Sequence, residues 1–534
     1  MSKHLIKSTS VVAAITMISR VFGFIRDMVT ANLFGASAAF DAFSVAFKIP
    51  NFMRRLFAEG SFSQAFVPVL AEYQKKKTQQ ELKQFLDAMC GTLSIVLFGV
   101  TILGIVFAPL VVRIFAPGFE NQGDRFDLAV TMLRINFPYL MLVSLTAFSG
   151  AILNTHSRFW VAAFTPVLLN VCMILAAMYL SPKFQTPIIA LAWGVLMAGV
   201  LQLVFQWPFL RQLKLMPKPN FNFGDPGVKR VLKLMVPALF GVSVGQINLL
   251  IDTLFASLLA IGSVSWLYYS DRLMEFPLGV FGVAISTVIL PHLSRHHAEQ
   301  SEHSFSETID WALRMVLLVG VPAAVSLAVI SGPLLSTLFQ HGQFDSHAVL
   351  MSRQSLSAFA IGIAPFMLVK ILAAGFYAKQ DLRTPVRIGL IAMFANMAFN
   401  VALIWPLKHA GIALATSLAA VINTGCLYTV LRRRGYYKPR AGWKKFAVRL
   451  LIANAVLAAW LIFGAGDMSE WLVHATMWRV WHLMFLLVTA VILYFVVLWA
   501  VGIKVRDFIM VLEKDMPRAG TKPPPPAGEG ESIL

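Results

Sequence analysis

The sequence has little charge, little cysteine and none of the short motifs that mark nucleotide chemistry. Charged residues make up 13% of its 534 residues, about half the share in a soluble globular protein. The three cysteines, Cys90, Cys172 and Cys426, are far apart in apolar stretches, which excludes a disulfide framework or a cysteine-rich metal site. No glycine-rich loop ending in Lys-Ser or Lys-Thr occurs, so ATP bound to this chain does not drive it.

Acidic metal ligands are missing as well. The sequence contains no Asp-x-Asp pair. A membrane glycosyltransferase would need such ligands near an outside loop. His296 and His297 lie in a predicted cytoplasmic link and His341 and His347 in an outside one, and we interpret each as solvated, not catalytic. An enzyme is therefore the weaker interpretation, and we predict a protein without catalytic residues.

What the sequence does have is a series of apolar stretches separated by short polar links. Stretches of about twenty residues cross a hydrocarbon core about 30 Å thick at 1.5 Å per residue. We therefore predict an all-α polytopic membrane protein with about fourteen transmembrane helices. The predicted spans are 8–34, 38–57, 85–115, 127–153, 159–180, 187–210, 229–260, 264–292, 307–339, 349–376, 384–406, 410–431, 444–464 and 477–502.

The net charge of +19 could indicate a nucleic-acid partner, but the placement of the basic residues favours a topological role. Lysine and arginine fall in every second link, as at Lys75, Arg211 and Arg432, and the alternate links nearly lack them. This positive-inside pattern predicts two cytoplasmic termini. The first apolar run continues through Arg20 and Arg26 without a small-residue cleavage site, so we interpret it as a retained helix, not a signal peptide.

A weak internal repeat divides the sequence. The segments "APLVVRIFAPG" (108–118) and "GPLLSTLFQHG" (332–342) align at an offset of 224 residues. Because this offset spans an even number of predicted helices, it predicts two parallel six-helix lobes with a cargo site between them. Chance similarity of apolar segments is the alternative. The predicted units are an N-terminal lobe at 1–215, a C-terminal lobe at 216–435, a pair of helices at 436–510 and a disordered cytoplasmic tail at 511–534.

Charged residues inside predicted helices 1, 2 and 8 are the candidate binding groups. They are Arg20, Arg26, Asp27, Asp41, Lys48, Arg54, Arg55, Asp271, Arg272 and Glu275. An arginine at mid-membrane costs about 2.5–3.5 kcal/mol, so it normally faces a water-filled cavity or a partner. The cationic surplus indicates an anionic cargo, because a guanidinium binds phosphate oxygens in bidentate geometry. Ion pairing that fixes helix packing is the alternative, and Arg54 and Arg55 could instead extend to the membrane surface.

A second polar group lies in predicted helices 7 and 11. Asp252 stands in an otherwise apolar run, and Asn396 and Asn400 are one helical turn apart. A carboxylate with amide oxygens could coordinate a small cation such as Na⁺. Asparagine in a membrane helix equally well forms hydrogen bonds to a neighbouring helix, and this packing interpretation is favoured.

Four long segments resemble a known family. They are "SRVFGFIRD", "DAFSVAFKIPNFMRRLFAEGSFSQAFVPVLAEY", "FPYLMLVSLTAFSGAILNT" and "VSWLYYSDRLMEFPLGVFGVAI". They closely resemble the MurJ (MviN) lipid II flippase family, which belongs to the MOP exporter superfamily and has two six-helix lobes plus two helices. The resemblance runs from residue 5 to residue 510. It implies translocation of lipid II, an undecaprenyl-pyrophosphate-linked peptidoglycan precursor, from the inner to the outer leaflet of the bacterial inner membrane.

The resemblance also implies roles for individual residues. The required cavity arginines of the family match Arg20, Arg26, Arg54 and Arg272, and its functional acids match Asp41 and Glu275. Predicted helices 13 and 14 would form a groove for the lipid tail, and predicted helices 1 and 8 would flank a lateral portal.

A sodium site between helices 7 and 11 occurs in some members of the family. Asp252, Asn396 and Thr416 match that pattern, but Asn400 stands where an aspartate is expected. The missing carboxylate argues against a retained site. We therefore expect no cofactor, with Na⁺ as the one candidate.

Alternating access is the mechanism that these residues suggest. The lipid II head group would meet Arg26, Arg54 and Arg272 in a cavity, while Asp41 and Glu275 hold the arginines when no cargo is bound. A flippase for another polyprenyl-pyrophosphate-linked glycan would use the same cavity, whereas a cation or drug exporter would need an acid-dominated one. The other expected partners are membrane lipids and the peptidoglycan synthases that use the product.

Overall fold

The structure is a computed structural model that describes residues 3–120 and 123–503. Within these ranges the chain forms helices joined by short links, and no strand is present. The predicted disordered tail at 511–534 lies outside the described residues. The helices are α1 (Lys3–Phe34), α2 (Ala38–Arg54), α3 (Ser63–Lys76), α4 (Gln79–Val106), α5 (Ala108–Phe115), α6 (Arg125–Thr155), α7 (Phe159–Leu175), α8 (Ile189–Gln212), α9 (Pro226–Ser257), α10 (Ser263–Pro277), α11 (Val283–Ala298), α12 (Glu302–Val329), α13 (Ser331–Phe339), α14 (Ser346–Ala360), α15 (Ile363–Ala378), α16 (Arg383–Arg433), α17 (Trp443–Ala465), α18 (Met468–Val473) and α19 (Thr476–Ala500).

Nine helical segments in the described part of the chain are long and apolar enough to cross a membrane, judged by length and composition. They are Gln79–Val106, Arg125–Thr155, Phe159–Lys183, Ile189–Gln212, Glu302–Val329, Ser346–Ala378, Arg383–Arg433, Trp443–Ala465 and Thr476–Ala500. The prediction of an all-α polytopic membrane protein is confirmed, while the count of about fourteen helices stays a prediction.

Two predicted spans share one element, and several others are divided, predicted helix 8 among them. α16 covers predicted helices 11 and 12, and Lys408, with φ 50° and ψ −130°, breaks its helical backbone. Predicted helix 8 consists of α10 and α11, joined by a π-helical turn at Leu278–Gly282. Pro277 lacks a backbone N–H immediately before this turn, which explains why the regular helix is interrupted there.

The helices pack around three apolar clusters. The largest contains side chains from both halves of the chain, for example Phe43, Leu133, Leu335 and Met367. A second lies around α3, α4 and α6, and a third joins α12, α17 and α19. The predicted lobe boundaries after residues 215, 435 and 510 stay predictions.

α9 contacts different parts of the molecule at its two ends. Near its start, Val228 and Val231 pack into the cluster around α3 and α4, and Arg230 Nη1 donates to Glu72 Oε2 at 2.8 Å. Near its end, Leu250 packs into the largest cluster. The polar residues in the second half of α9 therefore lie between the two halves of the chain, where a cargo site is expected.

Candidate functional site

Arg26 and Asp27 on α1 form the centre of a buried polar network, with exposed fractions of 7% and 3%. Arg26 donates to Asp27 Oδ1 from Nη2 at 2.7 Å and from Nε at 3.0 Å. Its Nη1 donates to Asn170 Oδ1 at 2.9 Å, and Tyr268 Oη donates to Asp27 Oδ1 at 2.9 Å. Since Asn170 belongs to α7 and Tyr268 to α10, three helices fix this guanidinium in one orientation.

Arg272 lies one helical turn after Tyr268 and extends the network toward a cavity between the helices. Its Nε lies 3.6 Å from Asp27 Oδ2, and its Nη1 donates to Glu275 Oε2 at 3.0 Å. The side chain of Arg272 is 30% exposed and that of Glu275 is 47% exposed. Because exposed ion pairs contribute little stability, an incoming anion can replace Glu275 at Arg272 at small cost.

A cavity of about 1010 Å³ opens beside Arg272, between α2, α9, α10 and α16. Its charged lining residues are Lys48, Arg55, Asp252, Asp271, Arg272 and Glu275. Lys48 Nζ donates to Thr253 Oγ1 at 3.1 Å, which links α2 to α9 across this space.

A second space, a cleft of about 1310 Å³, lies between α1 and α10. Its charged lining residues are Arg20, Arg26, Asp27, Arg272 and Glu275, and α12 and α13 contribute leucines to its other wall. Arg272 and Glu275 line both the cleft and the cavity. The cleft lies where the resemblance implies a lateral portal between predicted helices 1 and 8.

Asp41 does not lie among the arginines of the cavity. Its fully buried carboxylate accepts bonds at Oδ2 from Arg125 Nη1 at 3.0 Å and from Gly262 N at 2.7 Å. At Oδ1 it accepts bonds from Ser265 N at 2.9 Å and Ser265 Oγ at 2.5 Å. These four donors use both oxygens, so Asp41 joins α2, α6 and the start of α10, and the expectation that it holds the cavity arginines is corrected.

The cationic surplus is smaller than the sequence indicated. Arg54 lines neither space, and its Nε donates to Asn51 Oδ1 at 2.9 Å. Asp252, which was grouped with the polar residues of predicted helices 7 and 11, is a further acid in the lining of the cavity. The cations that line the two spaces are Arg20, Arg26, Lys48, Arg55 and Arg272, and the acids are Asp27, Asp252, Asp271 and Glu275. Among the described lining residues of both spaces together, the cations therefore outnumber the acids by one.

The polar group of predicted helices 7 and 11 is brought together around Asp252. Asn396 Nδ2 and Asn400 Nδ2 each donate to Asp252 Oδ1 at 2.9 Å, and Thr416 Oγ1 donates to Oδ2 at 3.0 Å. Amide nitrogens face the carboxylate, whereas Na⁺ requires oxygen ligands. This arrangement is the hydrogen bonding between α9 and α16 that the packing interpretation expects, and a sodium site at these residues stays a prediction. Among the described residues, no three His, Cys, Asp or Glu side chains form a metal-binding group.

Several residues of these networks were not sequence candidates, among them Arg125, Asn170 and Tyr268. Tyr268 could have been found, because it precedes Arg272 by one turn and shares its helix face. Asn170 is a polar residue in an apolar run, the same signal that marked Asp252. Arg125 gave no signal, because it lies at a helix start beside other charged residues.

Comparison with known proteins identifies the family of this chain. The model of the lipid II flippase MurJ family matches residues 30–482. The chain belongs to the MurJ family. Two of its relatives in this family are a MurJ protein of Haemophilus influenzae, 47% identical over 92% of this chain and 98% of the relative, and the lipid II flippase MurJ of Burkholderia cenocepacia, 42% identical over 95% and 99%.

Solved structures support the MurJ fold. A lipid II flippase MurJ in an inward closed conformation matches with a TM-score of 0.76 and 26% identity, over 93% of this chain and 99% of that one. An inward-facing multidrug resistance transporter of the MATE family in the MOP superfamily has a TM-score of 0.65 at 11% identity, over 79% and 98%. The similarity to the MATE transporter concerns the fold alone.

Proposed function

We propose that this chain translocates lipid II from the inner to the outer leaflet of a bacterial inner membrane. The observation that carries the proposal is Arg272, which lines both the lateral cleft and the cavity and lies 3.6 Å from the buried Arg26–Asp27 pair. Membership of the MurJ family supplies the cargo class. The chain is a transporter, not an enzyme.

Arg26 and Arg272 differ in how firmly their neighbours hold them, and the proposed binding of the head group follows from this difference. Arg26 is held by Asp27, Asn170 and Tyr268 and so presents a fixed charge. Arg272 has Glu275 as an exposed partner. A pyrophosphate entering from the cleft replaces Glu275 at Arg272, because a charge-assisted bond between guanidinium and phosphate is stronger than an exposed ion pair. The prenyl chain stays in lipid throughout.

Translocation requires the two halves to move relative to one another. Asp41 connects α2 and α6 of the first half to Gly262 and Ser265 of the second. This connection lies at the end of the bundle where α1 ends and α2 begins. We propose that it holds that end closed and that its bonds to α10 break when the cavity opens there, as alternating access requires.

The orientation in the membrane is also part of the proposal. The basic links support two cytoplasmic termini, so the end closed by Asp41 faces away from the cytoplasm. Peptidoglycan synthases, which would use lipid II on that side, are the proposed downstream partners. Their use of the product, or the membrane potential, biases the direction of transport.

Two other cargoes are less well supported. A drug or cation exporter has the same fold class, but it would need an acid-dominated cavity. Among the described lining residues, three cations balance three acids in the cavity, and the cleft adds Arg20 and Arg26 against Asp27. A flippase for another polyprenyl-pyrophosphate-linked glycan would use the same arginines. Relatives named for lipid II at 42% identity over nearly the full chain favour lipid II.

The function is tested by expressing the chain in cells from which only the resident lipid II flippase has been removed. We expect growth and normal cell shape. Rescue of a strain that lacks a different polyprenyl-linked glycan flippase, without rescue of the first strain, would contradict the cargo assignment. Membrane abundance of the chain is measured in both strains, so that poor expression is recognised.

A further inference from the structure

A third space, away from the Arg26–Arg272 network, has an unassigned cluster of basic side chains. It is a cavity of about 1190 Å³ between the first half of α12, the start of α17 and the residues after α19. Its lining residues include Asp310, Arg314, Arg440, Lys445 and Arg449. All three helices belong to apolar spans, and the cavity lies at their ends. It is therefore at the depth of the lipid head groups.

The acid of this cavity, Asp310, already contacts several donor groups of the protein. Asp310 is 1% exposed, and its Oδ1 accepts bonds from Tyr437 Oη at 2.7 Å, Trp443 Nε1 at 2.7 Å and Arg440 N at 3.1 Å. Its Oδ2 lies 2.8 Å from Arg314 Nε. Asp310 therefore builds and orients the site, and its charge is paired with that of Arg314.

Two further cations are left for a ligand. Arg440 pairs with Glu307, and Arg314 pairs with Asp310. Lys445 and Arg449 are four residues apart on one face of α17, and no carboxylate within 4 Å pairs with either of them in the described part of the chain. Arg449 Nη1 donates to the backbone oxygen of Gly502 at 2.9 Å. Within the described residues, two positive charges in this cavity thus lack a counter-charge.

The walls indicate an amphipathic ligand. Trp311, Phe446 and Ile503 line the cavity beside the cations. On the adjacent surface of α17, Val448 and Leu451 are 55% and 68% exposed, as expected of side chains that contact acyl chains. Basic pockets between membrane helices at the cytoplasmic surface are suited to phosphate-bearing lipid head groups.

We propose that this cavity binds the phosphate ester of a lipid in the cytoplasmic leaflet, through Lys445 and Arg449. The phosphate is that of an anionic phospholipid or of lipid II waiting to enter the cleft, and the chemistry of recognition is the same. The inference uses the orientation proposed above but does not depend on transport. The competing account is that these cations only anchor helix ends at the membrane surface.

The test measures binding of fluorescent phosphatidylglycerol to the full-length protein in neutral detergent, with labelled phosphatidylcholine as the uncharged probe. We expect the double variant Lys445→Gln/Arg449→Gln to bind phosphatidylglycerol at least about tenfold more weakly, the loss expected for one or more charge-assisted bonds. Phosphatidylcholine binding should not change. The matched control Arg433→Gln/Lys444→Gln removes the same charge from residues outside the cavity and should stay within about twofold of the parent.

Competition identifies the source of the phosphate. If purified lipid II displaces the labelled phosphatidylglycerol that is bound to the Arg272→Ala variant, the cavity is assigned to the cargo. If it does not, the cavity is assigned to phospholipid. Equal losses in the cavity and control variants, or displacement by millimolar inorganic phosphate alone, would overturn the proposal. The single variant Lys445→Gln, at an exposed side chain, provides the comparison if the double variant does not fold. Because Arg272→Ala should keep this binding, the result is independent of flipping.

Discussion

Arg272 connects the two spaces at the level of single residues. It shares Asp27 with Arg26, lines the cleft and the cavity, and lies 4.9 Å from the centre of the Tyr268 ring. Its spacing from Glu275 was predictable, because residues three apart share a helix face. Its proximity to Asp27, which is 245 positions earlier in the chain, was not predictable, because that contact depends on how α1 and α10 pack.

Removal of Arg272 should weaken cargo binding directly. We expect Arg272→Gln to lower the affinity of the purified protein for lipid II by about tenfold or more, since charged hydrogen bonds contribute about 1.5–3 kcal/mol. Thermophoresis with labelled lipid II measures the change, and Arg433→Gln is the matched control because Arg433 is exposed and outside both spaces. Unchanged affinity of a folded Arg272→Gln variant would contradict the role of this charge.

Asp41 and Arg125 should behave as a coupled pair. Both are buried, at 0% and 2% exposure, and Arg125 Nη1 donates to Asp41 at 3.0 Å. Loss of one partner of a buried ion pair costs about 3–5 kcal/mol. We expect Asp41→Asn to lower the thermal unfolding temperature markedly and Arg125→Gln in the same chain to restore part of the loss. Additive losses in the double variant would show that the two side chains do not interact.

Asn400 decides whether a cation binds near Asp252. The Oδ1 atoms of Asn396 and Asn400 are buried without a hydrogen-bond partner among the described residues, and both amides donate to Asp252. A second carboxylate would favour a cation over these donors. We expect no difference in unfolding temperature between NaCl and KCl for the natural sequence, and a sodium-specific increase for Asn400→Asp. A sodium-specific increase in the natural sequence would contradict the hydrogen-bonding interpretation.

At the level of secondary-structure elements, the hydropathy pattern predicted the membrane helices. Local chemistry predicted the interruptions within those helices only in part. Pro277 explains the π-helical turn after α10. The break at Lys408 lies in the link at 407–409 between predicted helices 11 and 12, and only its positive φ was not indicated by the sequence. The sequence also did not indicate that Val228 and Val231, at the start of α9, pack with α3 and α4, while the predicted lobe boundary at residue 216 stays a prediction.

α9 should depend on its contact with α3. Arg230 and Lys76 donate to Glu72 and hold the pKa of that carboxyl below its usual range. The contribution of this contact is therefore present above the ordinary carboxyl pKa and is lost as pH falls through the lower, folded pKa. We expect Glu72→Gln to increase hydrogen exchange at the start of α9 at neutral pH, with Glu299→Gln as a control at an ion pair elsewhere. Unaltered exchange at α9 would contradict this role.

On the scale of the whole molecule, the two halves meet at the end of the bundle that contains Asp41. There Gln343 N also donates to Asn32 O at 2.9 Å, and Gly35 and Gly342, both with positive φ, allow the backbones to approach closely. Sequence reasoning placed the cargo site between two lobes, but it could not identify this connection. The pairing of backbone groups far apart in the chain is fixed by the tertiary fold alone.

A covalent link at this connection should stop transport. We expect Asn32→Cys/Gln343→Cys, in a background without Cys90, Cys172 and Cys426, to form a disulfide on oxidation and to lose flipping until it is reduced. Each single cysteine variant should remain active under both conditions. A cross-linked protein that still moves lipid II would show that the halves need not separate at this end.

The central claim is that the charge of Arg272 beside the buried Arg26–Asp27 pair drives lipid II translocation. Its most direct test is the outer-leaflet accessibility of lipid II after rapid depletion of the resident flippase, in cells that express the natural sequence, Arg272→Ala or Arg433→Ala at equal membrane abundance. We predict that the natural sequence and Arg433→Ala maintain accessibility, while Arg272→Ala loses it and lipid II accumulates inside. Normal accessibility with a well-expressed Arg272→Ala variant would contradict the claim.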